Sequence, residues 1–297
     1  MVAGPTGVGK SLFAAELALQ IGGEIVGGDA YQVYSGLAVL TAQPSPELQA
    51  EVPHHLVGFL PPAEPFDAAR FAALAKEAMA AITARGRIPI LAGGSGLYLK
   101  ALTHGLAEIP SADPILRAEL SALPLAELQA RLDAADPGAR ASTDFQNARR
   151  LIRALEIQAL TGSPASALRE PWRDKNAPGF RGLLLTRERD DLNAILADNV
   201  RSMFDRGAID EVRDCAAAGP TARMAIGFRD IQAHLRGELR REECVDAVLL
   251  ATRRLAKRQL TWFRNQFNFP SIDLTGLRTR HELRQTLPTA LQLLGSA

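Results

Sequence analysis

Cysteine is scarce in this chain of 297 residues: Cys215 and Cys244 are too few and too widely spaced for a disulfide framework or a zinc site. The five histidines lack the spacing of metal ligands, so we predict no transition-metal site. Apolar runs fall short of the ~20 residues that cross a bilayer, and no signal-like segment opens the chain. These absences favour a protein of the reducing cytoplasm with no membrane partner.

A large net charge is also absent, since 34 lysine and arginine residues offset 33 acidic residues. A protein that coats nucleic acid indiscriminately needs a global basic field, which a net charge of +1 does not provide. Basic residues are instead clustered in 149–153 and in 253–264, and the second cluster contains no acid. Such local clusters on a neutral protein indicate a specific polyanionic partner.

Residues 4–11 form a motif with a defined chemistry, because they match the phosphate-binding pattern G-x-x-x-x-G-K-[ST]. Backbone N–H groups of such a loop surround phosphate oxygens, Lys10 adds positive charge, and the Ser11 hydroxyl is placed to ligate Mg²⁺. An apolar helical pattern follows directly, although only three residues precede Gly4, fewer than in an ordinary strand. The predicted diphosphate- or nucleotide-binding residues are Gly4, Pro5, Thr6, Gly7, Val8, Gly9, Lys10 and Ser11.

Short apolar runs alternate with helical patterns from the phosphate loop to about residue 110, which is typical of an α/β fold. The runs 24–27, 56–59 and 88–92 predict strands. The periodic stretch between Asp67 and Gly86 predicts a helix with an aspartate cap at its start and a glycine stop. We therefore predict a parallel sheet flanked by helices, similar to P-loop NTPases.

Strand patterns are absent from residues 113–178, which we interpret as a mostly helical insertion. Helices should start at Asp113 and near 142–147, and 171–179 resembles a linker. The core resumes with a strand at 182–185, helices within 191–218, a long basic helix over 241–265, a short strand at 272–274 and a terminal helix. The predicted domains are the first part of the core (1–112), the insertion (113–178) and the second part of the core (179–297).

Glycine-initiated loops follow three of the predicted strands, at Gly4, Gly28 and Gly93. Because parallel strands place ligands at their carboxyl ends, these loops should converge on one crevice. Asp29 lies in the second loop, so its carboxylate should face the same crevice as the phosphates. From the residues alone, Asp29 either caps a helix or holds magnesium, or it accepts a proton from an acceptor substrate.

Five segments together resemble the tRNA dimethylallyltransferase family, in the family's order and over nearly the whole chain: 4–11, 29–44, 93–98, 150–162 and 252–264. The last segment matches the family's A-K-R-Q-x-T-W-x-R run. The resemblance implies an enzyme that transfers a dimethylallyl group from dimethylallyl diphosphate to N6 of the adenosine 3′ of the anticodon in tRNA. It also implies Mg²⁺ as cofactor and the anticodon stem-loop as partner, and we expect a monomer.

This chemistry suits the motifs already described. A phosphate loop with Lys10 and a magnesium ion on Ser11 would stabilise the departing diphosphate, and Asp29 would accept the N6 proton. Ser95 stands where the family has a threonine in its G-G-T segment, and we expect it to orient the diphosphate or the amine. The predicted catalytic residues are therefore Asp29, Ser95 and Lys10.

An extruded base needs surfaces that hold it, and Tyr31, Gln32 and Tyr34 are candidates, although Tyr34 suits a buried position equally well. In the long helix, Arg254, Lys257, Arg258 and Thr261 share a face without an acid, while Leu255 and Trp262 should point into the core. By resemblance and charge, the predicted tRNA-binding residues are Asp29, Ala30, Tyr31, Gln32, Ser95, Arg117, Arg149, Arg150, Leu151, Ile152, Arg153, Gly227, Phe228, Arg229, Arg254, Lys257 and Arg258, within a wider segment that begins at Met224.

The sequence departs from the family pattern at several positions, each of which removes a polar group. Ala30 replaces a serine, Gln43 replaces a lysine, and Gln146 with Asn147 replaces an Asn-Asp pair. Ile195 and Asn199 stand where the family tends to carry arginines. Because Lys10, Ser11 and Asp29 are kept, we expect altered tRNA affinity or a partner-specific variant rather than lost chemistry.

Three other functions remain open at this stage. A small-molecule kinase would share the phosphate loop, magnesium and the strand-end aspartate, but it leaves the basic helix unexplained. A prenyltransferase acting on free adenine nucleotides leaves the same helix unexplained. A non-catalytic RNA-binding P-loop protein needs only the basic clusters, and replacement of Asp29 distinguishes it from an enzyme.

Overall fold

A computed structural model describes residues 1–106, 110, 113–141, 143–168, 174–177 and 179–295. The predicted helix start at Ser142 and part of the predicted linker 171–179 lie outside the described residues. The chain divides into two compact units. The core unit comprises Met1–Gly105 and Asp174–Ala297, and the helical unit comprises Leu106–Arg173. Both unit boundaries fall several residues before the boundaries predicted from the sequence.

The core unit is built on a six-stranded parallel sheet with the strand order β3-β2-β4-β1-β5-β6. The strands are β1 (Val2–Ala3), β2 (Gly23–Gly27), β3 (His54–His55), β4 (Ile88–Gly93), β5 (Leu183–Thr186) and β6 (Ser271–Asp273). The two-residue β1 lies in the middle and pairs with β4 and β5. The predicted α/β fold is confirmed.

One predicted strand is wrong. The third strand is His54–His55, where Ile25 pairs with His54, and residues 56–58 form bends. Leu56 has a φ of 60°, a left-handed conformation that does not continue a strand. The apolar run at 56–59 therefore packs without extending the sheet.

Both faces of the sheet are covered, which explains why the strands read as continuous apolar runs. Successive residues of one strand contribute to two separate hydrophobic clusters: Val26 and Leu91 to the first, Ile25 and Ile90 to the second. The first half of the core unit supplies the helices α1 (Lys10–Ile21), α2 (Pro46–Glu51), α3 (Ala68–Ala84) and α4 (Gly96–His104). Asp67 caps α3 by accepting from the N–H groups of Ala69 and Arg70, as predicted.

The helical unit contains α5 (Pro114–Ser121), α6 (Leu125–Ala135), α7 (Ala148–Thr161) and α8 (Ala165–Leu168), with no strand among its described residues. Asp113 caps α5, and Asn147 caps α7 by accepting from the Arg150 N–H at 3.4 Å. Gly162 ends α7 with a φ of 72°. The unit has its own apolar core, in which Leu132 and Ile157 are buried.

The second half of the core unit adds α9 (Arg189–Asp205), α10 (Ala208–Asp214), α11 (Phe228–Leu235), α12 (Arg241–Gln266), α13 (Arg280–Gln285) and α14 (Leu287–Gly295). The long basic helix is confirmed as α12, whereas α11 has no counterpart in the sequence prediction. Within the residues that the structure describes, none of the helices has both the length and the apolar composition that a bilayer span requires.

Candidate functional site

A cavity of about 510 Å³ lies in the core unit, where the loops after β1, β2 and β4 meet. This volume is within the range of small-molecule sites. The prediction that these glycine-initiated loops converge is confirmed. One face of α9 and one face of α12 complete the walls, whose residues include Thr6, Gly7, Gly9, Lys10, Ser11, Asp29, Tyr31, Gln32, Gly93, Gly94, Leu196, Asn199, Thr252, Leu255 and Gln259.

The phosphate loop wraps the start of α1. Gly7 and Gly9 have φ values of 77° and 104°, and a Cβ at Gly7 would lie 2.5 Å from Leu196 Cδ2. Gly9 occupies the position before the helix without a side-chain cap, so the first-turn N–H groups of α1 are left for an anionic ligand. Of the predicted loop residues, Gly4, Pro5 and Val8 do not line the cavity, and Val8 is packed in the core.

Lys10 brings a positive charge into this cavity. Its Nζ donates to the Pro5 carbonyl at 2.8 Å. Burial lowers the pKa of Lys10 to about 8, against the opposing effect of the negative charge of Asp29. Because an anion close to a buried ammonium favours its charged form, a bound diphosphate would raise this pKa again.

Asp29 lines the same cavity as Lys10. Its Oδ1 accepts hydrogen bonds from the N–H groups of Tyr31 at 2.9 Å and Gln32 at 3.4 Å, which holds a turn rather than capping a helix. Its Oδ2 has no hydrogen-bond partner among the described residues. The carboxylate is thus fixed through one oxygen and can accept a proton through the other.

Ser95 does not line the cavity. Its hydroxyl accepts the N–H of Ala30 at 2.9 Å, which ties the loop after β4 to the loop that carries Asp29. Gly93 allows this close approach, since a Cβ there would lie 2.0 Å from the Gly28 carbonyl oxygen. The structure thereby gives Ser95 a supporting contact instead of the direct contact with the reacting groups that the sequence suggests.

The three residues near Asp29 that are candidates for holding the base, Tyr31, Gln32 and Tyr34, do not all face the cavity. Tyr31 and Gln32 line the cavity, whereas Tyr34 is fully buried and donates to the Glu64 carbonyl at 3.2 Å. Gln43, the position at which a lysine is lost, donates to the carbonyls of Gln32 and Tyr34 at 2.9 and 2.8 Å. The Gln43 side chain therefore stabilises the loop that carries Asp29.

Two arginines that the sequence analysis does not single out, Arg187 and Arg278, lie next to the phosphate loop. Arg187 is buried and donates to the carbonyls of Val8 at 3.0 Å and Leu277 at 2.8 Å. Asp191 pairs with both Arg278 and Arg187, and these contacts lower the pKa of Asp191 to about 2. No sequence motif marks Arg187, because all but one of these contacts join distant parts of the chain.

The long helix α12 has two functional faces. Val248, Thr252, Leu255 and Gln259 line the cavity, so Leu255 does not point into the core as predicted. The opposite face carries a basic stripe, which we define as Arg254, Lys257, Arg258 and Thr261. All four side chains are exposed, and within the described part of the chain none of its three cations has a hydrogen-bond or ion-pair partner.

The predicted tRNA-binding residues of the helical unit behave differently. Arg117 forms a bidentate pair with the fully buried Glu156, with both distances at 2.6 Å, and Arg153 contacts the same carboxylate at 3.4 Å. Leu151 and Ile152 are buried, so their side chains belong to the apolar core of the unit and not to an exposed surface. Arg149 and Arg150 are exposed at the start of α7.

The three residues of segment 227–229 also differ in exposure to solvent. Gly227 has a φ of 88° and Phe228 is fully buried, whereas Arg229 is exposed. Arg229 lines a second cavity of the core unit, about 510 Å³ in volume, together with Arg223 and Arg236. Only Arg229 of this predicted trio presents its side chain to solvent.

A sequence model described as IPP transferase matches residues 32–266. This chain belongs to the IPP transferase family. It is 46% identical over 300 residues to a tRNA dimethylallyltransferase of Anaeromyxobacter dehalogenans (strain 2CP-C), covering 96% of this chain and 99% of the relative. A tRNA dimethylallyltransferase of Anaeromyxobacter sp. (strain K) is 45% identical over 273 residues, with 90% of each chain covered.

The crystal structure of a tRNA isopentenylpyrophosphate transferase from Bacillus halodurans is similar over the whole chain. Its TM-score is 0.72 and its sequence identity is 35%, with 99% of this chain and 96% of that chain covered. The family predicted from the sequence motifs is thereby confirmed.

Two departures from the IPP transferase pattern fall in the cavity wall. Ile195 and Asn199, at positions where the family tends to carry arginines, both line the cavity. Other arginines, Arg187, Arg206 and Arg278, line it from different positions. Arg187 and Arg278 both pair with Asp191, whereas Arg206 has no ion-pair partner among the described residues.

Proposed function

We propose that this chain transfers the dimethylallyl group of dimethylallyl diphosphate to N6 of the adenosine 3′ of the anticodon in tRNA. The observation that carries the proposal is that Asp29 and the phosphate loop with Lys10 line one cavity. Membership of the IPP transferase family and relatives named tRNA dimethylallyltransferase support the same reaction. We further propose that the enzyme acts as a monomer in the cytoplasm.

The reaction breaks the bond between C1 of the donor and the diphosphate oxygen, and the electron pair leaves with the diphosphate. N6 of the adenosine forms the new bond to C1 and releases a proton. Negative charge therefore develops on the leaving group, where the amide groups of the phosphate loop and the Lys10 ammonium are suited to stabilise it. The proton goes to the Asp29 carboxylate, whose Oδ2 has no hydrogen-bond partner among the described residues.

Mg²⁺ is the cofactor that we propose for this site. Ser11 fits it, since its hydroxyl lines the cavity and accepts or donates no hydrogen bond among the described residues. Magnesium at phosphate sites takes few protein oxygens and completes its shell with phosphate and water oxygens. When bound, the ion would offset the negative charge of the diphosphate.

The tRNA would be held mainly through its phosphates. The basic stripe of α12, Arg229 of α11 and Arg150 of α7 supply exposed cations for this purpose. Tyr31 and Gln32, which line the cavity beside Asp29, are suited to contact the extruded adenine. The donor and the base would thus enter one cavity, while the backbone of the RNA stays outside it.

The reaction class is tested with labelled dimethylallyl diphosphate, Mg²⁺ and unmodified tRNA, with labelled ATP as the control donor. We expect label in the tRNA from the first donor and none from ATP. Phosphoryl transfer from ATP to a small molecule, without prenylated tRNA, would establish a kinase instead. Binding of tRNA without any transfer would favour a non-catalytic RNA-binding protein.

The role of Asp29 is tested with Asp29→Asn and Asp29→Ala. The Asn variant keeps an oxygen that can accept from the Tyr31 N–H, so it preserves the turn while removing the base. We expect the single-turnover rate to fall by about 10²- to 10⁴-fold in both variants, with unchanged tRNA affinity. A rate close to wild type in Asp29→Asn would exclude the carboxylate as the proton acceptor.

A further inference from the structure

Gln259 joins two loops of the cavity through both ends of its side-chain amide. Its Oε1 accepts the Thr6 N–H of the phosphate loop at 2.8 Å. Its Nε2 donates to the Gly94 carbonyl, in the loop after β4, at 2.9 Å. One planar group of α12 therefore bridges two segments that are far apart in the sequence.

The Gln259 amide packs closely against the backbone of Gly94. A Cβ at Gly94 would lie 2.6 Å from Gln259 Nε2 and 3.5 Å from the Gly4 carbonyl oxygen. A glycine at 94 thus admits the amide, and the amide in turn holds the glycine next to the phosphate loop. The neighbouring Gly96 is similarly close to Trp262 of the same helix, since its Cβ would lie 2.2 Å from the indole.

The connection continues from Gly94 to the proposed base. Ser95, the next residue, accepts the Ala30 N–H through its hydroxyl at 2.9 Å. Ala30 directly follows Asp29 in the loop after β2. The hydrogen bonds therefore run from the phosphate loop through Gln259 and Ser95 to the residue adjacent to Asp29.

We propose that Gln259 is a positioning residue, which sets the spacing between the diphosphate held by the phosphate loop and the carboxylate of Asp29. This inference rests on the proposed function, in which the phosphate loop stabilises the leaving diphosphate and Asp29 accepts the proton of the attacking N6. A displacement of reacting groups by 1 Å costs about 10²-fold in rate. Gln259 controls that spacing because it is the amide that bonds to both loops.

The position of Gln259 on α12 gives this bridge a rigid support. Thr252, Leu255 and Gln259 follow one another on the face of α12 that lines the cavity, at helical spacing. Lys257 and Arg258, which precede Gln259 in the sequence, belong to the exposed basic stripe on the opposite face of the helix. The helix that we propose to bind tRNA phosphates is therefore the same rigid element that holds the phosphate loop.

Gln259→Met tests the bridge, because methionine has a similar length and makes neither hydrogen bond. Asn265→Met, at an exposed position of the same helix, is the matched control. We expect kcat to fall about 10- to 100-fold in Gln259→Met while the Kd of pyrophosphate stays within about threefold of wild type. Asn265→Met should match wild type in both measurements.

Two other results would overturn the inference: an unchanged kcat, or a kcat that falls only in step with a lost pyrophosphate affinity or a lowered melting temperature. A wild-type protein that neither binds pyrophosphate nor prenylates tRNA would instead refute the proposed function. The two failures are therefore distinguishable in one set of measurements.

Gln259→Glu adds a readout that a purely structural role would not show. The ionised carboxylate keeps the bond from Thr6 but faces the Gly94 carbonyl with a second acceptor, whereas the protonated carboxyl restores a donor. Because an ordinary glutamate carboxyl is half protonated only at about pH 4.3, we expect kcat of this variant, relative to wild type at each pH, to rise between pH 6 and pH 4.5 beyond the level of Gln259→Met. Recovery that stops at the level of Gln259→Met would show that charge alone matters and would overturn the bridge.

Ser95→Ala provides the last test, because it breaks the other link of the same connection. If both residues act on one spacing, the double variant Gln259→Met with Ser95→Ala should lose less kcat than the product of the single losses. Fully multiplicative losses would mean that the two residues act independently, which contradicts the proposed connection.

Discussion

The basic helices α12 and α7 look alike in the sequence and differ in the structure. On α12, Arg254 and Arg258 are exposed without an ionic partner in the described part of the chain. On α7, Arg153 contacts Glu156, a carboxylate that is fully buried and that Arg117 holds from α5. A cluster of arginines thus indicates an anionic partner only after internal acids have been accounted for. The first helix is a candidate RNA-binding surface, and the second is partly a structural element of its own unit.

Loss of Arg117 should produce the largest effect in this comparison. Arg117→Ala leaves the buried Glu156 with Arg153 alone, so we expect the helical unit to lose about 3 kcal/mol, the low end for a broken buried pair, because Arg117 is itself half-exposed. The urea dependence of amide hydrogen exchange in α5 and α7 measures this free energy of unfolding. Arg131→Ala removes the exposed pair with Glu127 and should cost only about 0.5 kcal/mol.

An Arg117→Ala variant with full stability and weaker tRNA binding would contradict the structural role that we assign to Arg117. The arginine would then serve the RNA and not the buried carboxylate.

Removal of the basic stripe should have the next largest effect. The triple variant Arg254→Ala, Lys257→Ala and Arg258→Ala should lower the slope of log K against log salt by about three for tRNA binding. Between 50 and 200 mM salt, the wild type should then lose about 50-fold more affinity than the variant. A triple alanine variant at Lys76, Arg87 and Arg201 removes the same charge from other exposed positions and should keep the wild-type slope.

Equal slopes in the two triple variants would show that net charge alone attracts tRNA. The basic stripe would then not be a specific binding site for tRNA phosphates.

Lys10 differs from the exposed arginines of α12 because it is a cation affected by burial. Burial lowers its pKa to about 8, so the charged form predominates below pH 8 and is lost as the pH rises. Pyrophosphate binding requires the charged form, and we expect its affinity to fall about tenfold between pH 7 and pH 9 relative to Lys10→Arg. Calorimetric titration at both pH values measures the ratio, which a normal lysine pKa would leave constant.

The smallest expected effect separates two neighbours on α7. Arg150 is exposed, so Arg150→Ala should lower the salt slope of tRNA binding by about one without a loss of stability. Arg153→Ala should instead reduce the stability of the helical unit, since Arg153 contacts the buried Glu156. Identical effects of both variants would remove the distinction between paired and exposed arginines within this helix.

Features that depend on neighbouring residues can be read from the sequence. The phosphate loop is contiguous, and the caps Asp67, Asp113 and Asn147 bond to residues two or three positions ahead. The strand predicted at 56–59 fails for a local reason that hydrophobicity does not encode, the left-handed conformation of Leu56. Apolar character indicates burial, but it does not specify backbone direction.

Partners that are distant along the chain are not readable in this way. Gln43 looks like a lost cation until the structure shows its amide on the carbonyls of Gln32 and Tyr34. Arg187 carries no motif, yet it fixes the Val8 carbonyl of the phosphate loop across 179 positions. Ser95 supports Ala30 where the sequence suggests a contact with substrate.

The sequence by itself determined the α/β class, the phosphate loop and the family, because each depends on residue types at short and regular spacing. Only the tertiary structure decided which groups share the cavity, that α12 presents Gln259 inward and Arg258 outward, and that Glu156 neutralises part of the arginine cluster. The reason is physical: a hydrogen bond or an ion pair forms between groups that are close in space, and chain order does not report those distances.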